Sequence, residues 1–257
     1  MPAELLSERQ GSTLLLTISD PATRNALSPE LYAAGVEALS LAESDAQIRC
    51  VVLTGAAGHF SAGGNLSQMQ AVRGQPERQQ ARVDALHQWI EALRSCPKPV
   101  IAAVEGAAAG AGCSLALACD LLVASREAKF SLAYGRIGTS PDGGASWHLA
   151  QLLPRNQALE WIWMAQTRSG EDLHRSGLVN RLCAPGEALA TALALAEELG
   201  AFAPNVLASV KELVGSPSPA LADQLDRERR AFVDNVNHPN GGEGLAAWRE
   251  KRSPRFG

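Results

Sequence analysis

The sequence lacks the marks of several large function classes. Neither GxGxxG nor GxxxxGK(S/T) occurs, so the common glycine loops that wrap a dinucleotide or a nucleotide phosphate are absent. Positive charge is not in excess: 23 Lys and Arg stand against 27 Asp and Glu, a net charge of -4. That balance gives no basic field for a nucleic acid or an anionic membrane. No stretch supplies the roughly 18 uninterrupted apolar residues that suggest a membrane span. The first residues, MPAELLSERQ, carry glutamates and no long apolar run, so a soluble cytoplasmic protein is expected. Cys50, Cys96, Cys113, Cys119 and Cys183 are scattered, with no CxxC pair, and read as reduced core residues. His59, His148, His174 and His238 share no ligand-like spacing, so no metal is implied. Long linkers, low-complexity tracts and simple repeats are missing too.

What is present is an alternation of short apolar runs with helical periods, the pattern of an α/β protein. Thr13–Ile18, Cys50–Thr54, Val100–Val104 and Asp120–Ala124 read as strands, and Phe130–Ile137 is expected to lie alongside the last of them. Ser28-Pro29 is a cap and first-turn pair for a helix whose apolar face is Leu31, Ala34, Ala38, Leu39 and Ala42. Gln70–Gln80 reads as a mobile loop, and Arg82–Arg94 as a helix stopped by Pro97 and Pro99. Helices are expected over Gly110–Cys119, Leu189–Phe202, Val206–Val214 and Leu221–Val236, with a short strand near Leu178–Cys183. Trp89, Trp147, Trp161, Trp163 and Trp248 are expected in the core or at subunit contacts.

Two glycine-rich turns carry the chemistry. Ala107–Gly112 lies between a strand and a helix, so its free N–H groups and the helix dipole favour negative charge. Ser61–Asn65 also follows a strand, and its glycines let backbone approach a ligand closely. Either turn alone is explained by tight packing. Together they can offer one N–H each to a single oxygen.

With these turns, Arg24–Leu27, Phe60–Leu66, Lys98–Gly106 and Ala116–Asp120 resemble the enoyl-CoA hydratase/isomerase (crotonase) superfamily, in an order that continues to Glu250-Lys251-Arg252. The resemblance implies a crotonase-like ββα spiral core over residues 1–200, with a C-terminal helical trimerisation region over 201–257. It implies an acyl-CoA substrate, no cofactor beyond the coenzyme A within that thioester, and a homotrimer or dimer of trimers. It places the oxyanion-hole amides on Gly64 and Ala111, where glycine is usual at the second; a required positive φ there would undermine the hole. It places coenzyme A near Arg24, Ala26, Ala62, Asn65 and Leu66, with Phe232 and Lys251 toward the adenine and phosphates.

The family's hydratases use two glutamates, and by the same resemblance those positions hold Ser114 and Tyr134. Ser114 then reads as a small helix residue bonded to a backbone carbonyl. Asp142, in the loop Gly138–Gly144, becomes the leading catalytic group, with an N-cap as its structural alternative. His87 matches the general base of the family's dehalogenase branch, and otherwise packs at the edge of a helix face. The best reading is an enoyl-CoA isomerase using Asp142. Hydratase, hydrolase or dehalogenase chemistry with Asp142, His87 or Tyr134 is the alternative, and a non-catalytic acyl-CoA-binding protein a third.

Overall fold

The computed structural model describes residues 3–215, 229, 232, 234 and 238–257, with side chains 248 and 249 left out. The first half holds β1 (Glu4–Gln10), β2 (Thr13–Ser19), β3 (Ala26–Leu27), α1 (Pro29–Ser44), β4 (Cys50–Gly55), β5 (Gly63–Gly64), α2 (Leu66–Ala71) and α3 (Pro76–Ser95). There follow β6 (Val100–Val104), β7 (Ala107–Ala109), α4 (Ala111–Ala118), β8 (Leu121–Ser125), β9 (Lys129–Ser131), α5 (Ala145–Leu152) and α6 (Arg155–Met164). The last elements are β10 (Thr167–Ser169), α7 (Gly170–Arg175), β11 (Arg181–Cys183), α8 (Ala188–Gly200), α9 (Pro204–Gly215) and α10 (Pro239–Glu250).

A 6-stranded sheet in the order β1-β2-β4-β6-β8-β11 forms the frame; the β1–β2 pair is antiparallel and the rest parallel. The inner strands are continuous apolar runs because both faces are covered. Val51, Leu53, Val100 and Ala102 face the core formed with α1, α3 and α4, while Cys50, Val52, Ile101 and Ala103 face Ala188, Ala192 and Leu195 of α8. Leu31, Ala38, Leu39 and Ala42 of α1 are buried, and the Ser28 hydroxyl accepts from Leu31 N at 3.4 Å. Gly35 admits α3: a Cβ there would run into the Trp89 indole.

Several expectations are corrected. β9 pairs with β7 and β10 in a separate 3-stranded sheet, not with β8, and Ala133–Ile137 turns into a 3-10 helix. Much of 70–80 is helical, since α2 runs to Ala71 and α3 begins at Pro76, with Pro at N1 and Glu77 in its first turn. β1 is not expected from the sequence because it is nearly all exposed and its two leucines, Leu5 and Leu6, do not continue into an apolar run or alternation. Trp89 and Trp161 are fully buried, whereas Trp147 and Trp163 are 47% and 73% exposed. The helix expected over 221–236 falls largely outside the described residues, and so does the Trp248 side chain. All 5 cysteines are buried free thiols, and no single described helix is long and apolar enough to cross a membrane.

Candidate active site

The two glycine turns are stitched together by backbone. Ser61 N donates to Ala107 O and Ala109 N to Ser61 O, both at 2.9 Å. The Ser61 hydroxyl donates to Asn25 O at 2.7 Å and accepts from Gly63 N at 3.0 Å. Buried Asn25 ties the same loop down, donating to Ala56 O and His59 O at 2.9 and 2.7 Å. Gly63 has φ +87°, and a Cβ on it would collide with Ala109 O and lie 3.3 Å from Ala111 N. The chain beside Gly64 is thereby pressed against the start of α4. A Cβ on Gly64 would meet nothing within 4 Å, so that residue borders open space.

α4 is 8 residues long and wholly buried, and it starts without a side-chain cap. No acceptor among the described residues takes the Ala111 N–H, so it stays available in a desolvated setting where the helix dipole favours negative charge. Gly110 carries the positive φ of +50°, and Ala111 is not among the positive-φ residues. Alanine at 111 is therefore unstrained.

Beside the Ala107–Gly112 turn lies a group built from side chains, tied to it by the Ser114 hydroxyl, which lies 3.3 Å from Gly110 O. Tyr134 donates to Asp142 Oδ1 at 2.6 Å, and the Ser114 hydroxyl lies 3.1 Å from the Tyr134 oxygen and 2.9 Å from Asp142 O. The Tyr134 ring also borders the first α4 turn, its Cζ 3.9 Å from where a Gly110 Cβ would stand. Gly143, at φ +57°, lets the loop lie on α4, since a Cβ there would come within 2.9 Å of Ser114 Cβ. Burial pushes the half-buried Asp142 carboxyl above its ordinary value, against the Tyr134 hydrogen bond and the His87 charge, which pull it down. Burial, with the Asp142 charge second, raises Tyr134, so its phenol stays a donor. Asp142 is not the α5 cap: Gly144 holds that position, and Asp142 contributes only its carbonyl, 3.3 Å from Ala145 N.

His87 is exposed and makes no hydrogen bond to a described residue, but it follows Leu86, whose Cδ2 would lie 3.3 Å from a Gly143 Cβ. His148 is buried and held down at about 4, by burial first and the Arg94 charge second. Arg24, Ala26, Ala62, Asn65 and Leu66 gather on one edge: Ala62 N donates to Arg24 O at 2.9 Å and Ala26 pairs with Gly63. Asn65 caps α2 by accepting from Gln68 N at 3.1 Å, and Leu66 is 55% exposed. Phe232 and Lys251 are exposed in the C-terminal region, and no hydrogen bond among the described residues ties either to that edge. Sequence reasoning passed over Tyr32, which is buried beside Leu31 in electrostatic contact with Asp142. A phenol on an otherwise aliphatic helix face was the available signal.

Comparison with known proteins agrees with this geometry. The enoyl-CoA hydratase/isomerase family model matches residues 8–257. A crystal structure of an enoyl-CoA hydratase from Polaromonas sp. JS666 is 52% identical with a TM-score of 0.97, covering 98% of this chain and 99% of that one. The 2,3-dehydroadipyl-CoA hydratase of Escherichia coli is 34% identical over 257 residues, 99% of this chain and 98% of the relative. The 1,2-epoxyphenylacetyl-CoA isomerase of Escherichia coli is 32% identical over 255 residues, 98% of this chain and 97% of the relative. The chain belongs to the enoyl-CoA hydratase/isomerase, or crotonase, superfamily, and is an acyl-CoA-processing enzyme.

Proposed function

We propose that the enzyme shifts a carbon–carbon double bond in an enoyl-CoA, with Asp142 carrying the proton. The thioester oxygen is held by the N–H groups of Gly64 and Ala111, whose bonds strengthen as the oxygen gains enolate charge; such a pair contributes several kcal/mol. The Asp142 carboxylate takes a proton from the carbon between thioester and double bond and returns it two carbons further along, so one carboxylate serves both steps. The observation that carries this reading is the Tyr134 to Asp142 hydrogen bond of 2.6 Å. It fixes one carboxylate oxygen and leaves the other without a donor from any other described residue. Ser114 and Tyr134, at the family's two glutamate positions, cannot perform carboxylate acid–base work on water.

Coenzyme A runs along Arg24, Ala26, Ala62, Asn65 and Leu66, with Phe232 and Lys251 at its adenine and phosphate end, in a cytoplasmic homotrimer. The hydratase relative's name supports a second reading, in which His87, exposed near the Asp142 loop, activates water.

Turnover of 3-enoyl-, 2-enoyl- and aryl-CoA thioesters in isotopically labelled water, beside Asp142→Asn and His87→Gln, separates the two. Loss with Asp142→Asn alone and no oxygen incorporation is expected. Loss with both variants, with label in the product, would establish the second reading. Wild-type rates in Asp142→Asn on every accepted substrate would remove Asp142 from the mechanism.

A further inference from the structure

Tyr32 is a buried phenol whose hydroxyl has no hydrogen bond among the described residues. It is 4% exposed on α1, with its ring 6.3 Å from that of Trp89 at 44°. Trp89 is itself wedged against Gly35. No described residue donates to or accepts from the Tyr32 hydroxyl. Among the described residues, Trp89 Nε1 is the side-chain polar atom that is both sealed from solvent and unpartnered. The Tyr32 hydroxyl, also unpartnered, therefore borders open space.

The Tyr32 ring packs on Trp89, one turn along α3 from Leu86, and Leu86 borders the Gly143 loop that carries Asp142. Burial, and after it the Asp142 charge, push Tyr32 up to about 12, with Arg82 pulling the other way. The phenol is thus a protonated donor at neutral pH. Arg82 adds positive charge nearby, and its guanidinium bonds the neutral Gln68 amide oxygen at 3.2 Å.

We infer that Tyr32 is a specificity-determining residue whose hydroxyl donates to an oxygen on the acyl chain, so that the enzyme prefers oxygen-bearing acyl groups, hydroxylated or carboxylated, over plain hydrocarbon ones. The inference rests on the thioester placement proposed above. A plain chain filling the site would strip water from the phenol and return no acceptor, leaving a buried donor unsatisfied. A site built around a donor discriminates strongly against the analogue lacking the acceptor.

Titration calorimetry with three saturated thioesters, hexanoyl-CoA, 5-hydroxyhexanoyl-CoA and hexanedioyl-CoA, tests this without turnover. At least one oxygenated ligand binds the wild type about tenfold more tightly than hexanoyl-CoA, a difference of ~1.4 kcal/mol. Whichever is preferred names the oxygen. Tyr32→Phe keeps the ring and abolishes the preference, with hexanoyl-CoA bound more tightly than by the wild type because no hydroxyl is left to desolvate; Asp142→Asn keeps the preference. Equal wild-type affinities, a preference that survives Tyr32→Phe, or equal weakening of all ligands by that substitution would overturn the inference. Failure of every thioester to bind would instead overturn the thioester placement, and this inference with it.

Discussion

The Ser61–Gly64 and Ala109–Ala111 turns are backbone constructions, whereas the group beside the second of them, Ser114, Tyr134 and Asp142, is made of side chains. In both turns a glycine with positive φ, Gly63 at +87° or Gly110 at +50°, precedes the residue whose N–H is proposed to hold the thioester oxygen. The strain is thus displaced by one position, which is why alanine can stand at 111. The backbone half is locked by mutual hydrogen bonds and by contacts too close for a Cβ. The side-chain half is held by three hydrogen bonds and supplies the groups to which the proposed chemistry is assigned.

If the comparison holds, substitutions on one side should damage activity and on the other stability. The largest effect is expected from Asp142→Asn, a rate loss of roughly 10²–10⁴-fold, measured as kcat/KM on the accepted enoyl-CoA. Its stability should not fall. Asp142 has a folded pKa above its ordinary 3.8, so the folded state holds this proton more tightly than the unfolded chain. Ionisation at neutral pH then costs stability, and the amide removes that cost. A clear drop in melting temperature would break the comparison.

Gly63→Ala comes next, from the other side. The left-handed φ and the collision with Ala109 O predict a loss of about 3 kcal/mol in denaturant unfolding. Tyr134→Phe should be smaller, lowering kcat/KM roughly tenfold at neutral pH. Because that hydrogen bond favours the ionised carboxylate, its removal raises the Asp142 pKa, and the acid limb of the pH–rate profile moves to higher pH. An unmoved limb would detach Tyr134 from the proton carrier. The smallest effect is expected from Ala111→Gly, about 0.5–1 kcal/mol of stability from lost helix propensity, with activity retained since the N–H remains.

The strands at 13–19, 50–55, 100–104 and 121–125 were legible because buried parallel strands are continuous apolar runs between glycines and prolines. α1 was legible from its Ser-Pro start. β7 and β9, 3 residues each, were not read correctly, because so short a strand is specified by its partners rather than by its own pattern. Within the site, the motifs pointed to both turns and to Asp142. The hydrogen bonds from Tyr134 to Asp142 and from Ser114 to its carbonyl join residues 8 and 28 positions apart and end in irregular loop, where no helical or strand period fixes the spacing. Tyr32 was overlooked because a buried phenol and a buried aliphatic residue occupy the same place in a helical pattern.

By itself the sequence determined the α/β class, the central strands, the two glycine turns and the carboxylate loop, because local backbone preferences and apolar periodicity suffice for each. Only the tertiary structure decided that the turns lie side by side, that Gly63 and Gly110 take the strained angles, and that Asp142 rests on Tyr134 instead of capping a helix. Those outcomes depend on which distant atoms compete for the same volume and the same hydrogen-bond donors, and that competition exists only once the chain has packed.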